Sequence, residues 1–300
     1  MPDSPSPRLR PTPPTPAVVN EIVARALIED LAGGDLTTDA TVPSELTGLG
    51  VAISKSPLLA CGSTVAQAVF AAVDPKLEFE TLVPDGVWVP SDRALWQVRG
   101  PARSILMAER TALNFVQHLS GIATLAHRFM REIPVGSSTR IADTRKTTPG
   151  LRALERYAVR AGGAHNHRHD VGSAILIKDN HIVAAGGVAP AVLRARARAP
   201  HTSKIEIEVA NLNQLEQALA AKADVVMLDN FDLAQIRKAV ALVAGRALVE
   251  VSGNVTLERV AELARAGADV ISVGALTHSA PAADVSLGIQ VPMPERPMAA

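Results

Sequence analysis

Between Thr139 and Gly274 the chain repeats one rhythm: a short run of aliphatic and β-branched residues, a polar loop, then a stretch with helical spacing. The runs TRIAD, AILI, KIEIEV, VVML, ALVEV and VISV read as strands, with helices expected near 149–161, 188–199, 212–221, 233–243 and 255–266. Strands of this kind alternating with helices specify a parallel sheet, because joining parallel strands needs a crossover that a helix supplies. A closed or nearly closed α/β barrel is the simplest arrangement. Local signals agree: Thr148 before Pro149 reads as a cap followed by a first-turn proline, and Gly162 with Gly163 stops that helix.

The first half has a different pattern. Residues 1–16 hold seven prolines and almost no apolar side chains, so they cannot bury enough surface to offset the entropy of ordering, and a disordered tail is expected. A helix is expected from Ala17 to near Gly33, and a second at 63–73. Extended pieces are expected around 48–54, 77–83 and 94–100, giving a small open α/β layer. From Ala102 to about Arg131 the spacing is that of one long helix, with Leu106, Leu113, Val116 and Leu119 on an apolar stripe. Arg110, Asn114, Gln117 and His118 lie on another face, either simply solvated or presenting an arginine to a ligand or a neighbouring subunit.

With thirty basic and thirty acidic residues the formal charge is zero, yet residues 140–181 hold eight Arg or Lys against four acids, and four of the eight histidines. So local a cluster suits a small polyanionic substrate better than a nucleic-acid groove or a membrane surface, which call for an extended basic face. No run approaches the roughly twenty apolar residues of a membrane span, and the tail lacks the apolar core of a secretory signal. The single cysteine, Cys61, reads as a small buried hydrophobe, which suits a reducing cytoplasm.

In an α/β barrel the loops after the strands converge, so chemistry is expected at the strands' C-terminal ends. The six runs lead into Asp143, Arg145 and Lys146; Lys178, Asp179, Asn180 and His181; Glu208; Asp229 and Asn230; Ser252, Gly253 and Asn254; and Gly274. Glu206 and Glu208 alternate with Ile205, Ile207 and Val209, so both carboxylates project to one face, where an unpaired charge needs a cation or a metal. The small residues after the last two strands can let backbone N–H groups approach a phosphate.

These residues occur in segments that closely resemble the quinolinate phosphoribosyltransferase family: ERTALNFVQHLSGIAT, DTRKTTPGLRALERYAVRAGG, NHR, LIKDNH, IEIEV, MLDNF, VSGN and VGALTHS, preceded by EDLAGGDLTT at 29–38. The resemblance runs in order over nearly the whole chain beyond the tail. It implies an α/β fold with an N-terminal α/β sandwich domain over 17–117, onto which residues 282–300 pack back, and an incomplete α/β (TIM-like) barrel over 118–281. It also implies a homodimer, with a hexamer as the larger alternative, whose active sites draw on two subunits.

The implied reaction joins quinolinate to 5-phosphoribosyl-1-pyrophosphate with Mg2+, releasing pyrophosphate and CO2 and giving nicotinate mononucleotide for NAD synthesis. By resemblance Arg145, His167, Arg168 and Lys178 line the quinolinate pocket, with Arg110 reaching in from the partner subunit. Lys146 assists at the phosphoribosyl donor. Glu208 and Asp229 bind ribose hydroxyls or the magnesium and flank the transition state, while Ser252, Gly253 and Gly274 hold the 5-phosphate with His278 on the same side. After NHR the chain departs from the family pattern at His169, Asp170, Val171, Gly172 and Ser173, which shape the loop entering the Lys178 strand.

Other readings stay open on the residues alone. A related phosphoribosyltransferase associated with molybdate transport shares the barrel but takes a different acceptor. His165, His167 and His169 alternate, which on a strand puts three imidazoles on one face, as in a metal-dependent hydrolase. Lys178 at a strand end also suits a Schiff-base aldolase, and a non-catalytic anion-binding barrel is the remaining class.

Overall fold

The computed structural model describes residues 11–292. In chain order the elements are α1 (Pro16–Leu31), α2 (Leu36–Thr41), β1 (Thr47–Ser54), β2 (Leu58–Leu59), α3 (Ser63–Val73), β3 (Glu78–Thr81), β4 (Trp88–Val89), β5 (Ala94–Pro101) and α4 (Ala102–Arg131). There follow β6 (Arg140–Ala142), α5 (Arg152–Ala161), β7 (Ile175–Ile177), α6 (Asp179–Ala185), α7 (Val188–Arg198), β8 (Ile205–Val209), α8 (Leu212–Ala220), β9 (Val225–Asp229), α9 (Leu233–Val243), β10 (Leu248–Ser252), α10 (Leu257–Arg265), β11 (Val270–Ser272), α11 (Ala275–His278) and β12 (Val285–Gln290). Residues 1–10 of the proline-rich tail and 293–300 of the C-terminal segment lie outside the described residues. Pro16 belongs to α1, because its fixed φ suits a first helical turn.

The chain forms two compact units. The first takes the residues up to Leu125 together with Thr148–Gly162 and the residues from Ala280. Its four-stranded sheet has the order β12-β1-β5-β3, and all three pairings are antiparallel. Every second residue of β1 is buried, as a half-covered sheet requires. Few aromatics are needed for this core. Phe70 of α3, Phe79 of β3 and Trp96 of β5 form one cluster, with ring centroids 5.2 to 5.9 Å apart.

Part of the polar stripe on α4 is tied down inside this unit. Gln117 Nε2 donates to Val285 O at 2.7 Å, and His118 Nε2 lies 2.9 Å from Glu155 Oε1. The second oxygen of Glu155 accepts the Thr148 N–H at 3.0 Å. Residues 148–151 therefore form a turn, and the regular helix starts at Arg152 instead of Pro149.

The second unit comprises Ala126–Thr147 and Gly163–Ser279. Its six strands lie in the order β6-β11-β10-β9-β8-β7 and every pairing is parallel. The first strand thus pairs with the last, which is the winding a barrel requires. Beyond β6 the ladder continues only as a single parallel bridge between Ala142 and His165. Among the described residues nothing bridges from there to β7, so the barrel is incomplete. Three helices lie outside the expected set: the short α2 and α11, and α6, which follows β7 immediately, begun by Lys178, whose N–H donates to His181 Nδ1 at 3.0 Å.

Candidate active site

All six strands of the second unit deliver polar side chains at their C-terminal ends. Arg145, Lys146, His167, Arg168, Lys178, Glu208, Asp229, Ser252 and Gly253 line one cavity of about 630 Å³, within the range of small-molecule sites. A neighbouring recess of about 420 Å³ shares Arg145, Arg168, Leu176 and Lys178 and has an apolar floor of Ile175, Ile177, Ala185 and Ala191. Gly274 packs against Lys146 and His278: a Cβ there would lie 3.1 Å from Lys146 Cδ and 3.0 Å from His278 Nε2. Arg110 belongs to the first unit, on α4, with its side chain exposed.

The cations are set as an anion site sets them. Arg145 Nε is buried without a hydrogen-bond partner, an orphaned donor that a bound carboxylate would satisfy. Burial and the nearby Arg145 charge together lower the pKa of Arg168, so two guanidinium groups repel each other across a space suited to negative charge. Arg168 is anchored by Nη1, which donates to Ala174 O at 3.1 Å. Lys178 Nζ lies 3.0 Å from Glu208 Oε2.

The acids divide into two sets. Glu208 and Asp229 reach the cavity, whereas Glu206, on the same face of β8 as Glu208, turns to the barrel interior. There His167 Nε2 lies 3.2 Å from Glu206 Oε2 and 3.3 Å from Glu250 Oε1. Ser272 Oγ donates a short hydrogen bond to Glu250. Burial opposes protonation of His167, but the hydrogen bonds and charges of Glu206 and Glu250 outweigh it and raise its pKa to about 10. Burial likewise raises the pKa of Glu206, with His167 acting against it. Arg168 N–H donates to His167 Nδ1 at 2.7 Å. A second ring proton would sit on Nδ1 and displace that bond.

A pH dependence follows. His167 is protonated more readily in the folded chain, with a pKa of about 10, than at its ordinary value of 6.5. Its contribution to stability is complete below about 6.5 and is lost as pH rises through about 10. Urea denaturation should show stability falling by a few kcal/mol over that interval, at ~1.4 kcal/mol per pKa unit. His167→Ala should flatten the slope, and an unchanged slope would refute the assignment.

The three alternating histidines do not share a face. His165 and His169 are exposed while His167 is drawn inward. Among the described residues, the cluster with potential ligand atoms within 4.8 Å of one another pairs His167 with Glu206 and Glu250, not with the other two imidazoles. Its charges and hydrogen bonds are satisfied internally. Residues 165–167 are tied to the end of β6, where Asp143, fully buried, accepts from Asn166 Nδ2 at 2.6 Å and from His167 N at 2.7 Å. The hydrolase reading therefore lacks its ligand set. Asn230, named at its strand end without a role, also lines the cavity, as do Glu250 and Ser272, which the strand-end reading does not include. The inward alternation of Glu250 with Ser252 in LVEVS was the available signal for Glu250.

An open parallel barrel with cations and two carboxylates around one rim cavity defines an α/β-barrel protein with an anion-binding site, and comparison with known proteins makes the class specific. Residues 35–120 match the quinolinate phosphoribosyl transferase N-terminal domain, and residues 122–288 match the C-terminal domain of the same family. The nicotinate-nucleotide pyrophosphorylase [carboxylating] of Mycobacterium leprae is 42% identical over 275 residues, covering 90% of this chain and 96% of that protein. The solved nicotinate-nucleotide pyrophosphorylase of Francisella tularensis is 41% identical with a TM-score of 0.88, over 92% of this chain and 98% of that one. NadC of Streptococcus pyogenes superposes with a TM-score of 0.89 at 38% identity, covering 94% of this chain and 100% of that one. The chain belongs to the quinolinate phosphoribosyltransferase family.

Proposed function

We propose that this chain transfers the phosphoribosyl group of 5-phosphoribosyl-1-pyrophosphate to quinolinate, producing nicotinate mononucleotide, pyrophosphate and CO2 for NAD biosynthesis. The observation that carries this reading is the pair Arg145 and Arg168, with the buried and unpartnered Nε of Arg145, beside the apolar floor of the recess. Two guanidinium forks and Lys178 match a flat ring bearing two carboxylates. His167, whose two ring nitrogens are engaged within the chain, walls the pocket and fixes the backbone from which Arg168 extends. Arg110 completes the pocket from the partner of a homodimer, in a cytoplasmic setting that suits the buried thiol of Cys61.

On the donor side Glu208 and Asp229 sit at the ends of adjacent strands, and each keeps one oxygen outside its contact with Lys178 or Asn230. Two hard carboxylate oxygens beside a phosphate-bearing ligand fit Mg2+, which binds through few protein carboxylates and the substrate's own phosphates. When bound, the ion neutralises pyrophosphate. Ser252, Gly253 and Gly274 hold the 5-phosphate, with Lys146 and His278 packed against Gly274.

As the C1–O bond to pyrophosphate breaks, positive charge grows on the ribose, and Glu208 and Asp229 stabilise it from fixed positions. The pyridine nitrogen supplies the electron pair for the new C1–N bond and becomes cationic. That charge then stabilises the carbanion left when the adjacent C–C bond breaks and CO2 departs, and a proton from water completes the product. A magnesium-containing assay with quinolinate and 5-phosphoribosyl-1-pyrophosphate should yield nicotinate mononucleotide. Turnover of nicotinate but not quinolinate would overturn the acceptor assignment.

A further inference from the structure

Asn230 follows Asp229 at the end of β9 and has φ +57, the left-handed region that asparagine tolerates better than most residues. Its N–H donates to Ser252 O at 3.1 Å, extending the β9–β10 ladder one step past the Ser252–Asp229 pair. Its side chain then does two things at once. Nδ2 donates to Asp229 Oδ2 at 2.9 Å. Oδ1 lies over Gly253 and accepts from Asn254 Nδ2 at 3.4 Å. The packing on Gly253 leaves no spare room: a Cβ there would collide with Oδ1 and stand 2.8 Å from Cγ. Gly253 itself has φ +93.

We infer that Asn230 is the positioning residue that couples the two halves of the phosphoribosyl site, holding the Asp229 carboxylate with one end of its amide and setting the Ser252–Gly253 turn with the other. This rests on the proposed roles of Asp229 and of that turn. The left-handed backbone sets the Cα–Cβ direction, and from there the amide reaches Asp229 with its nitrogen and Gly253 with its oxygen. Asn230 touches neither reacting atom; it acts through Asp229 and Gly253. Loss of the amide therefore impairs the sugar-phosphate side and spares the acceptor side.

The test uses N230G, which keeps the left-handed backbone without strain and deletes the amide, together with G253A and the double variant. The lost bond to the charged Asp229 carboxylate corresponds, at the lower end of what such bonds are worth, to about tenfold in an equilibrium constant. N230G should therefore weaken ribose 5-phosphate binding, measured calorimetrically without metal, by about that factor. It should raise the KM for 5-phosphoribosyl-1-pyrophosphate similarly and leave the quinolinate KM within about twofold. The second arm is the double-mutant cycle. G253A should cost more in ribose 5-phosphate affinity in the parent than in the N230G background, because the clash with Asn230 is gone while the strain at φ +93 is common to both and cancels. Unchanged ribose 5-phosphate binding in N230G, equal shifts in both KM values, or a strictly additive cycle would each overturn the inference. If the parent chain fails to turn over quinolinate, the acceptor reading falls. The metal-free binding of ribose 5-phosphate still decides the role of Asn230.

Discussion

Arg145→Ala should lower kcat/KM for quinolinate by about a hundred- to a thousandfold, the cost of one or two hydrogen bonds to a charged carboxylate at ~1.5–3 kcal/mol each. The KM for 5-phosphoribosyl-1-pyrophosphate should change by no more than a few fold. The guanidinium stands in the wall shared by the two recesses, and its Nε is a buried donor with nothing to donate to. Arg145 also raises the cost of the charge on Arg168. Removing it relieves that repulsion, so the fold should be no less stable while the substrate is bound less well. Folding and function should therefore move in opposite directions. Arg145→Lys should recover only part of the loss, because an ammonium cannot reproduce a planar two-pronged contact. Steady-state kinetics with each substrate varied in turn, alongside thermal denaturation, measures both effects. Full activity in Arg145→Ala would remove the assigned pocket.

Much of this site was legible because period and position carry it. The alternation in IEIEV puts Glu206 and Glu208 on one face, and the rule that barrel chemistry collects at strand ends places Lys178, Asp229 and Ser252 around one rim. Alternation cannot tell that Glu208 faces the cavity and Glu206 the interior, since this depends on which strand supplies the opposing cation: Lys178 of the loop after β7 for the first, His167 for the second. The role of Asn230 was hidden for a similar reason. Its partner Gly253 is distant in sequence, and only the register pairing Ser252 with Asp229 brings them together.

The same limit applies to the fold. Gly121 lies inside the long helix α4, where a Cβ would strike the backbone of Pro281. Its reason for being glycine lies in a segment more than a hundred residues away. The strand β12 was not recognised as a strand from its own residues, because VSLGIQ is short, carries an interior glycine, and gains its hydrogen bonds only from β1. The short helix α6 was missed because its start is marked by Lys178 and His181, which are not residues that ordinarily announce a helix.

Asp143→Ala should be strongly damaging to the second unit, lowering stability by about 3–6 kcal/mol, the loss of two hydrogen bonds to a charged carboxylate at ~1.5–3 kcal/mol each. The carboxylate is wholly buried and holds the Asn166 side chain and the His167 N–H, one on each oxygen. The backbone of Asp143 is also bonded to that segment, its N–H donating to His165 O at 3.0 Å, while His165 N–H donates to Ile141 O at 2.8 Å. These bonds buckle residues 165–167 onto the end of β6, and that placement sends His167 towards Glu206 and Glu250 and Arg168 into the cavity. Alanine removes the carboxylate that both donors use and loosens the segment that carries both side chains. Asp143→Asn keeps the volume but replaces one acceptor by a donor that faces another donor. It should fall between the parent and the alanine variant in stability, with quinolinate turnover lost more than in proportion to stability. Chemical denaturation measures the first effect and turnover at saturating 5-phosphoribosyl-1-pyrophosphate the second. A stable and fully active Asp143→Ala protein would mean that the residues after β6 hold their course without it, and the account of how Arg168 reaches the cavity would have to be abandoned.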